Sequence, residues 1–232
     1  MVARTNETLV MAKDLTKVYK TGKVETAALR GVDLDVQAGE FTAVVGPSGS
    51  GKTTLLNLIG ALDSATSGDL TVLGRDVNAL SKRARADMRL HELGVVFQAY
   101  NLVSVLTAQE NVEFVLELQG VGDQRRKRAR EVLEQLGLAK LGGRRPGELS
   151  GGEQQRVAVA RAVASLPRLV LADEPTANLD GENAEMLLHM MRDLNEQRQI
   201  TFIFSTHDPR VISHARRVVT LVDGRVTSDA EA

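Results

Sequence analysis

The chain has 232 residues, of which 25% are charged and 43% hydrophobic, with a formal net charge of −1 and no cysteine. That leaves room for one large or two small domains and a sizeable core, excludes disulfides and thiolate chemistry, and gives no global field to gather nucleic acid or an anionic membrane. The opening residues Met1-Val-Ala-Arg-Thr-Asn-Glu7 lack a signal peptide's apolar core, and no apolar run nears the ~18 residues of a membrane span; a protein of a reducing cytoplasm is expected.

In chain order, Leu9 to Leu15 with Lys17-Val-Tyr19, then Leu29 to Val36, alternate apolar with polar. This predicts antiparallel strands with one wet face. Phe41-Thr-Ala-Val-Val45 is a nearly unbroken apolar run, as in a strand covered on both faces. Gly46-Pro-Ser-Gly-Ser-Gly-Lys-Thr53 follows, and Thr54-Leu-Leu-Asn-Leu-Ile59 opens an apolar helix. A glycine, four residues and Gly-Lys-Thr form the phosphate-binding loop pattern, here between the strand and helix it requires. Glycines let backbone N–H groups face phosphate oxygens, and the helix adds its positive end. Lys52 can reach the β- and γ-phosphates, and the Thr53 hydroxyl can ligate Mg²⁺.

Further strands are predicted at Leu70–Leu73 and Gly94–Phe97, the second ending at Gln98. Between Thr107 and Leu149 the spacing turns helical and suggests an insertion separate from the sheet. Its basic run Arg125-Arg-Lys-Arg128 reads as a solvated helix face, because acidic residues follow and no aromatic residues interleave. Leu169–Ala172 and Thr201–Phe204 are short β-rich runs around a helix at Glu182–Gln197, so a mostly parallel sheet is expected. Val218–Val222, Asp223-Gly224 and Arg225-Val226 read as a terminal hairpin.

Two other stretches carry chemistry. Leu169-Val-Leu-Ala-Asp173-Glu174 is an apolar strand ending in two carboxylates. With a phosphate loop upstream, Asp173 suits Mg²⁺ and Glu174 suits the general base that polarises an attacking water. Leu149-Ser-Gly-Gly-Glu153 places Ser150, Gly151 and Gly152 at a second helix start. That start could bind phosphate, or it could be an ordinary N-cap by Ser150 beside a flexible glycine turn.

Taken together, these stretches make the chain resemble the ATP-binding subunit of an ATP-binding cassette (ABC) transporter, over about Leu9 to Arg225. Gly46 to Thr53 match Walker A, Gln98 the Q-loop, Leu149 to Glu153 the signature, Asp173 and Glu174 Walker B, Asn178-Leu-Asp180 the D-loop, and His207 the switch histidine. The resemblance implies a fold of the α/β class: a P-loop NTPase ABC ATPase core, an N-terminal antiparallel β-subdomain and an inserted α-helical subdomain near residues 99–147. It implies one ATP-binding domain over residues 1–232. ATP would be held by Tyr19, stacked on adenine, by Gly46, Pro47, Ser48, Gly49, Ser50, Gly51, Lys52, Thr53 and Thr54, and by Asp180. Mg²⁺ would be held by Thr53, Gln98 and Asp173, with Glu174, His207, Lys52 and Gln98 in catalytic roles.

Partners are implied as well. A second copy would sit head to tail, so that Ser150, Gly151 and Gly152 meet the other subunit's ATP. Thr66-Ser-Gly68, Phe97-Gln98, Asn101-Leu102, Leu106-Thr-Ala108 and Glu110-Asn-Val112 resemble the branch of lipoprotein-releasing, macrolide-exporting and cell-division ATPases. An integral membrane permease is then a partner, nucleic acid is not, and the protein would lie peripherally on the cytoplasmic face of the inner membrane. The permease would meet Ala99 to Leu106 at Tyr100 and Leu102, large apolar residues in a segment that reads as loop; packing beneath the helical insertion is the competing reading. The main functional alternative is a cell-division ATPase that transmits force to a periplasmic hydrolase without transport. A soluble cassette acting on DNA or the ribosome would call for a coiled-coil arm or a second cassette, and neither is legible.

Overall fold

The computed structural model describes residues 7–22 and 24–231. Its elements run β1 (Thr8–Thr21), β2 (Val24–Gln37), β3 (Phe41–Val45), α1 (Lys52–Ile59), β4 (Ser67–Val72), β5 (Arg75–Asp76), α2 (Lys82–Glu92) and β6 (Leu93–Val96). They continue with α3 (Ala108–Leu118), α4 (Arg125–Gln135), α5 (Gly151–Val163), β7 (Leu169–Asp173), α6 (Gly181–Arg198), β8 (Thr201–Thr206), α7 (Pro209–Ile212), β9 (Arg217–Val222) and β10 (Arg225–Glu231).

Two sheets form. β2-β1-β4-β5 is antiparallel, and the alternation read from its first two strands is the alternation of its buried and wet positions. The six-stranded sheet has the order β10-β9-β3-β8-β7-β6. Its inner pairings are parallel, and β10 returns antiparallel on β9 through the Asp223-Gly224 turn. β3, β8 and most of β7 are buried throughout, which is why they read as unbroken apolar runs.

Alternate residues of the parallel strands face different cores. Phe41, Ala43, Val45, Val170, Ala172, Phe202 and Phe204 pack with α3, α4, α5 and α6. Val44, Leu169, Leu171, Ile203, Val219 and Leu221 pack with α1 and the antiparallel sheet. The stripe predicted on α6 is buried as a unit, Ala184, Leu187, Leu188, Met191 and Leu194; each of its larger members contributes about 1.5–3 kcal/mol by leaving water. α2 is not legible in the sequence because it has almost no stripe: Met88 is its one buried residue, and the Ser81 hydroxyl starts it by accepting from the Ala84 amide.

Candidate nucleotide site

The parallel register sets the site. Val45 pairs with Thr206, and Asp173 pairs with Ser205, so the loops after β3, β7 and β8 leave the same edge of the sheet. Ligands in open α/β sheets gather outside such carboxyl ends. A cleft of about 540 Å³ lies there, lined by Pro47, Ser48, Gly49, Gly51, Lys52, Thr53, Thr54, Gln98, Glu174, His207 and Ala28. It brings together the phosphate loop, Gln98, Glu174 and His207, drawn from separate parts of the chain. Ala28 is an addition from β2 that the alternating pattern gave no reason to single out.

The loop's glycines are demanded by space. At Gly46 (φ 148°) a Cβ would overlap the carbonyl oxygen of Leu221, and at Gly51 (φ 107°) it would stand 2.5 Å from that of Ala28. Gly51 is also the N-cap of α1 and supplies no side-chain acceptor, so no cap fills the positive helix start. Lys52 is buried, its ammonium donating to the carbonyl oxygens of Gly46 at 2.8 Å and Pro47 at 3.1 Å. Ser50 Oγ is buried and has no hydrogen-bond partner among the described residues. A glycine cradle, an open helix start, a cation held at the loop and an orphaned hydroxyl fit a polyphosphate.

The metal-ligand chemistry is equally placed. The Thr53 hydroxyl donates to Asp173 Oδ1 at 3.0 Å, and the Ser205 hydroxyl donates to the same oxygen at 2.6 Å. A hydroxyl and a carboxylate oxygen in contact form an all-oxygen donor pair suited to Mg²⁺. Ser205 also accepts from the Glu174 amide at 2.8 Å, which fixes the backbone of Glu174 at φ 47°. The carboxylate of Glu174 lies 2.9 Å from His207 Nδ1. Glu174 is half-buried and His207 exposed, so the pair sits at the cleft's rim with access to water. Ser205 was not singled out in the sequence; its signal is a fully buried hydroxyl ending an apolar strand.

Other candidate residues lie outside the lining of this cleft. Ser150 caps α5 in a reciprocal box with Glu153, accepting from the Glu153 amide at 3.3 Å while the Glu153 carboxylate accepts from the Ser150 amide at 2.7 Å. So the N-cap reading holds. The pair of glycines serves close packing too: a Cβ on Gly151 would stand 3.0 Å from the Tyr100 hydroxyl, and one on Gly152 2.9 Å from Asn183 Oδ1. Asp180 caps α6, and hydrogen bonds from the amide and side chain of Asn183 hold its carboxyl below the ordinary range. Asn178 Nδ2 donates to the Gln98 carbonyl oxygen at 3.1 Å, joining the segments after β7 and β6.

Tyr19 is 39% exposed, with its hydroxyl donating to Asp63 at 3.0 Å and the Lys17 ammonium 4.8 Å from its ring centroid. Burial pushes the Asp63 carboxyl up, but hydrogen bonds from Lys17, the Ser64 amide and Tyr19 together hold it below its usual value. Tyr100 and Leu102 are half-buried and pack against the core of helices and sheet, and Arg161 from α5 donates to the carbonyl oxygens of Tyr100 and Asn101. The competing packing reading is the one the structure bears out for these two residues. The exposed apolar side chains of the segment are Val103 (39%) and Val105 (70%).

Comparison with known proteins matches residues 29–177 to the ABC transporter family. The chain is 49% identical over 215 residues to the lipoprotein-releasing system ATP-binding protein LolD of Anaeromyxobacter dehalogenans, covering 92% of this chain and 90% of that one. It is 43% identical over 229 residues to the macrolide export ATP-binding/permease protein MacB 1/2 of Paracoccus denitrificans, covering 98% of this chain and 34% of that protein. Among solved structures it resembles the dimeric ATP-binding cassette MJ0796 in a post-hydrolysis state bound to ADP and Pi, with TM-score 0.90, 40% identity and coverage of 96% and 98%.

Proposed function

This chain belongs to the ABC transporter family and is an ATP-hydrolysing cassette of it, and from that premise we propose that two copies close head to tail on two ATP molecules and so drive a membrane permease of the lipoprotein-releasing or macrolide-exporting type. One observation carries the dimer reading. The helix start at Ser150–Gly152 lies outside the lining of the cleft formed by its own phosphate loop, Glu174 and His207. Phosphate bound at this capped helix start would belong to another copy's nucleotide rather than to its own.

In this reading Lys52 and the loop amides hold the β- and γ-phosphates. Mg²⁺ held by Thr53 and Asp173, with Gln98 beside them, would neutralise the charge that builds on the phosphates. Glu174 takes a proton from the attacking water as its oxygen bonds to the γ-phosphorus and the bond to ADP breaks. His207 orients Glu174 and meets the γ-phosphate. Tyr19 would stack on adenine with the ring face opposite Lys17, and Asp180 would face the partner copy.

No helix among the described residues is long and apolar enough to cross a membrane, so attachment to the inner membrane's cytoplasmic face would come from the permease. Similarity to both named relatives along nearly the whole chain supports the transporter reading over force transmission to a cell-wall hydrolase.

The test uses Glu174→Gln, which keeps ATP in place, and adds Ser150→Arg. Glu174→Gln alone should elute as a dimer with ATP, and the double variant should bind ATP yet stay monomeric on gel filtration. Equal ATP-driven dimerisation of the two would overturn the head-to-tail arrangement.

A further inference from the structure

Away from the nucleotide cleft, Glu185 and His189 stand four residues apart on α6 and therefore project from one face. His214, between α7 and β9, reaches the same place. One potential ligand atom from each of the three lies within 4.8 Å of the others. His214 Nε2 is 2.7 Å from Glu185 Oε2, and the rings of His189 and His214 meet edge to face with centroids 5.1 Å apart. Glu185 and His214 are half-buried and His189 is exposed, which leaves a route from solvent.

We propose that Glu185, His189 and His214 form a binding site for a divalent first-row transition ion, Zn²⁺ foremost. Two imidazoles and one carboxylate are a common three-ligand set for Zn²⁺, with the fourth position left to water. Imidazole donors also select against Mg²⁺, so the site is chemically distinct from Thr53 and Asp173 in the cleft. Zn–N and Zn–O bonds of about 2.0–2.2 Å put tetrahedral ligand atoms roughly 3.4 Å apart. The three ligand atoms, all within 4.8 Å of one another and with Glu185 and His214 at 2.7 Å, bracket that spacing, so the set is in reach of an ion through side-chain adjustment. The Glu185–His214 hydrogen bond holds a proton where the ion would sit. An ion pair alone would need only those two residues. His189 adds a third donor with no side-chain hydrogen bond to another described residue, and Arg210, the nearby cation, is engaged by Asp208.

The placement gives the ion a mechanical role. Asp180 is the N-cap of α6, and α7 begins two residues after His207. An ion at this site fastens α6 to the segment that carries His207.

The chain is stripped with chelator and titrated without nucleotide, with Zn²⁺ by calorimetry and with Co²⁺ by its visible absorption. One ion per chain is expected, with micromolar or tighter affinity and the intense d–d bands of a four-coordinate site. His189→Ala, at an exposed position, should weaken binding by about tenfold or more, and His214→Ala likewise, whereas Thr53→Ala should leave it unchanged. Zn²⁺ should raise the melting temperature of the wild type and not of His189→Ala. Absence of saturable binding by about 100 µM Zn²⁺, or equal binding by wild type and His189→Ala, would overturn the site.

Discussion

Individual side chains divide here into those named by their motif and those found only through contact. Glu174 and Lys52 belong to the first group. Glu174→Gln keeps the shape and loses the base, so turnover should fall about 100-fold or more while ATP still binds; near wild-type phosphate release would take Glu174 out of the role. Lys52→Ala removes the cation at the loop and should weaken ATP binding itself, measurable with a fluorescent analogue. Ser205 belongs to the second group. It holds Asp173 with its proton and the Glu174 amide with its lone pair. Ser205→Ala should cost about 1–3 kcal/mol of stability in urea unfolding, because the Glu174 amide loses its acceptor, and turnover should drop with it. No spacing in the sequence pairs residue 205 with residue 173, since only the β7–β8 register does that. Gly46 was legible as a motif letter, but its reason is tertiary, the carbonyl of Leu221 against its Cα. Gly46→Ala should destabilise by about 2–5 kcal/mol, overpacking added to left-handed strain, and a melting temperature close to wild type would contradict the crowding.

Elements were legible in proportion to how fully they are buried. β3, β8 and most of β7 are buried and largely apolar, and α6 carries a full stripe, so composition and period located them. α2 is held by one methionine, an N-cap and contacts of its arginines, including Arg89 to the Ala61 carbonyl oxygen at 2.7 Å, which no period announces. In the segment between β6 and α3, size and apolarity mark Tyr100 and Leu102 as surface contacts, whereas both are half-buried against the core of helices and sheet and Arg161 ties down the carbonyls of Tyr100 and Asn101. If this segment meets the permease, Val105 is the better probe. Val105→Glu should leave ATPase activity of the isolated subunit intact and lower co-purification with the permease, whereas Tyr100→Glu should unsettle the fold. Arg161→Leu should loosen the same segment and give faster hydrogen exchange at residues 99–103.

At the scale of the whole molecule, the parallel sheet is a plate between two cores, and β3 sends Phe41, Ala43 and Val45 to one side and Val44 to the other. That central strand is completed by β8 and β9, whose partners for Phe41 and Thr42 lie about 160–175 residues further along the chain. This order has a consequence for biogenesis. At the usual 5–20 residues per second, a ribosome that has finished the phosphate loop still needs roughly 8–30 s to make the strands that hold it. Through that interval the loop lacks the carbonyl of Leu221, and Asp173 and Glu174 lack Ser205. A nascent chain stalled before Thr201 should therefore fail to retain an immobilised ATP analogue, and one extended past Glu231 should retain it. The cassette would become competent for nucleotide only late in its synthesis, a delay that limits how early two growing copies could clamp together.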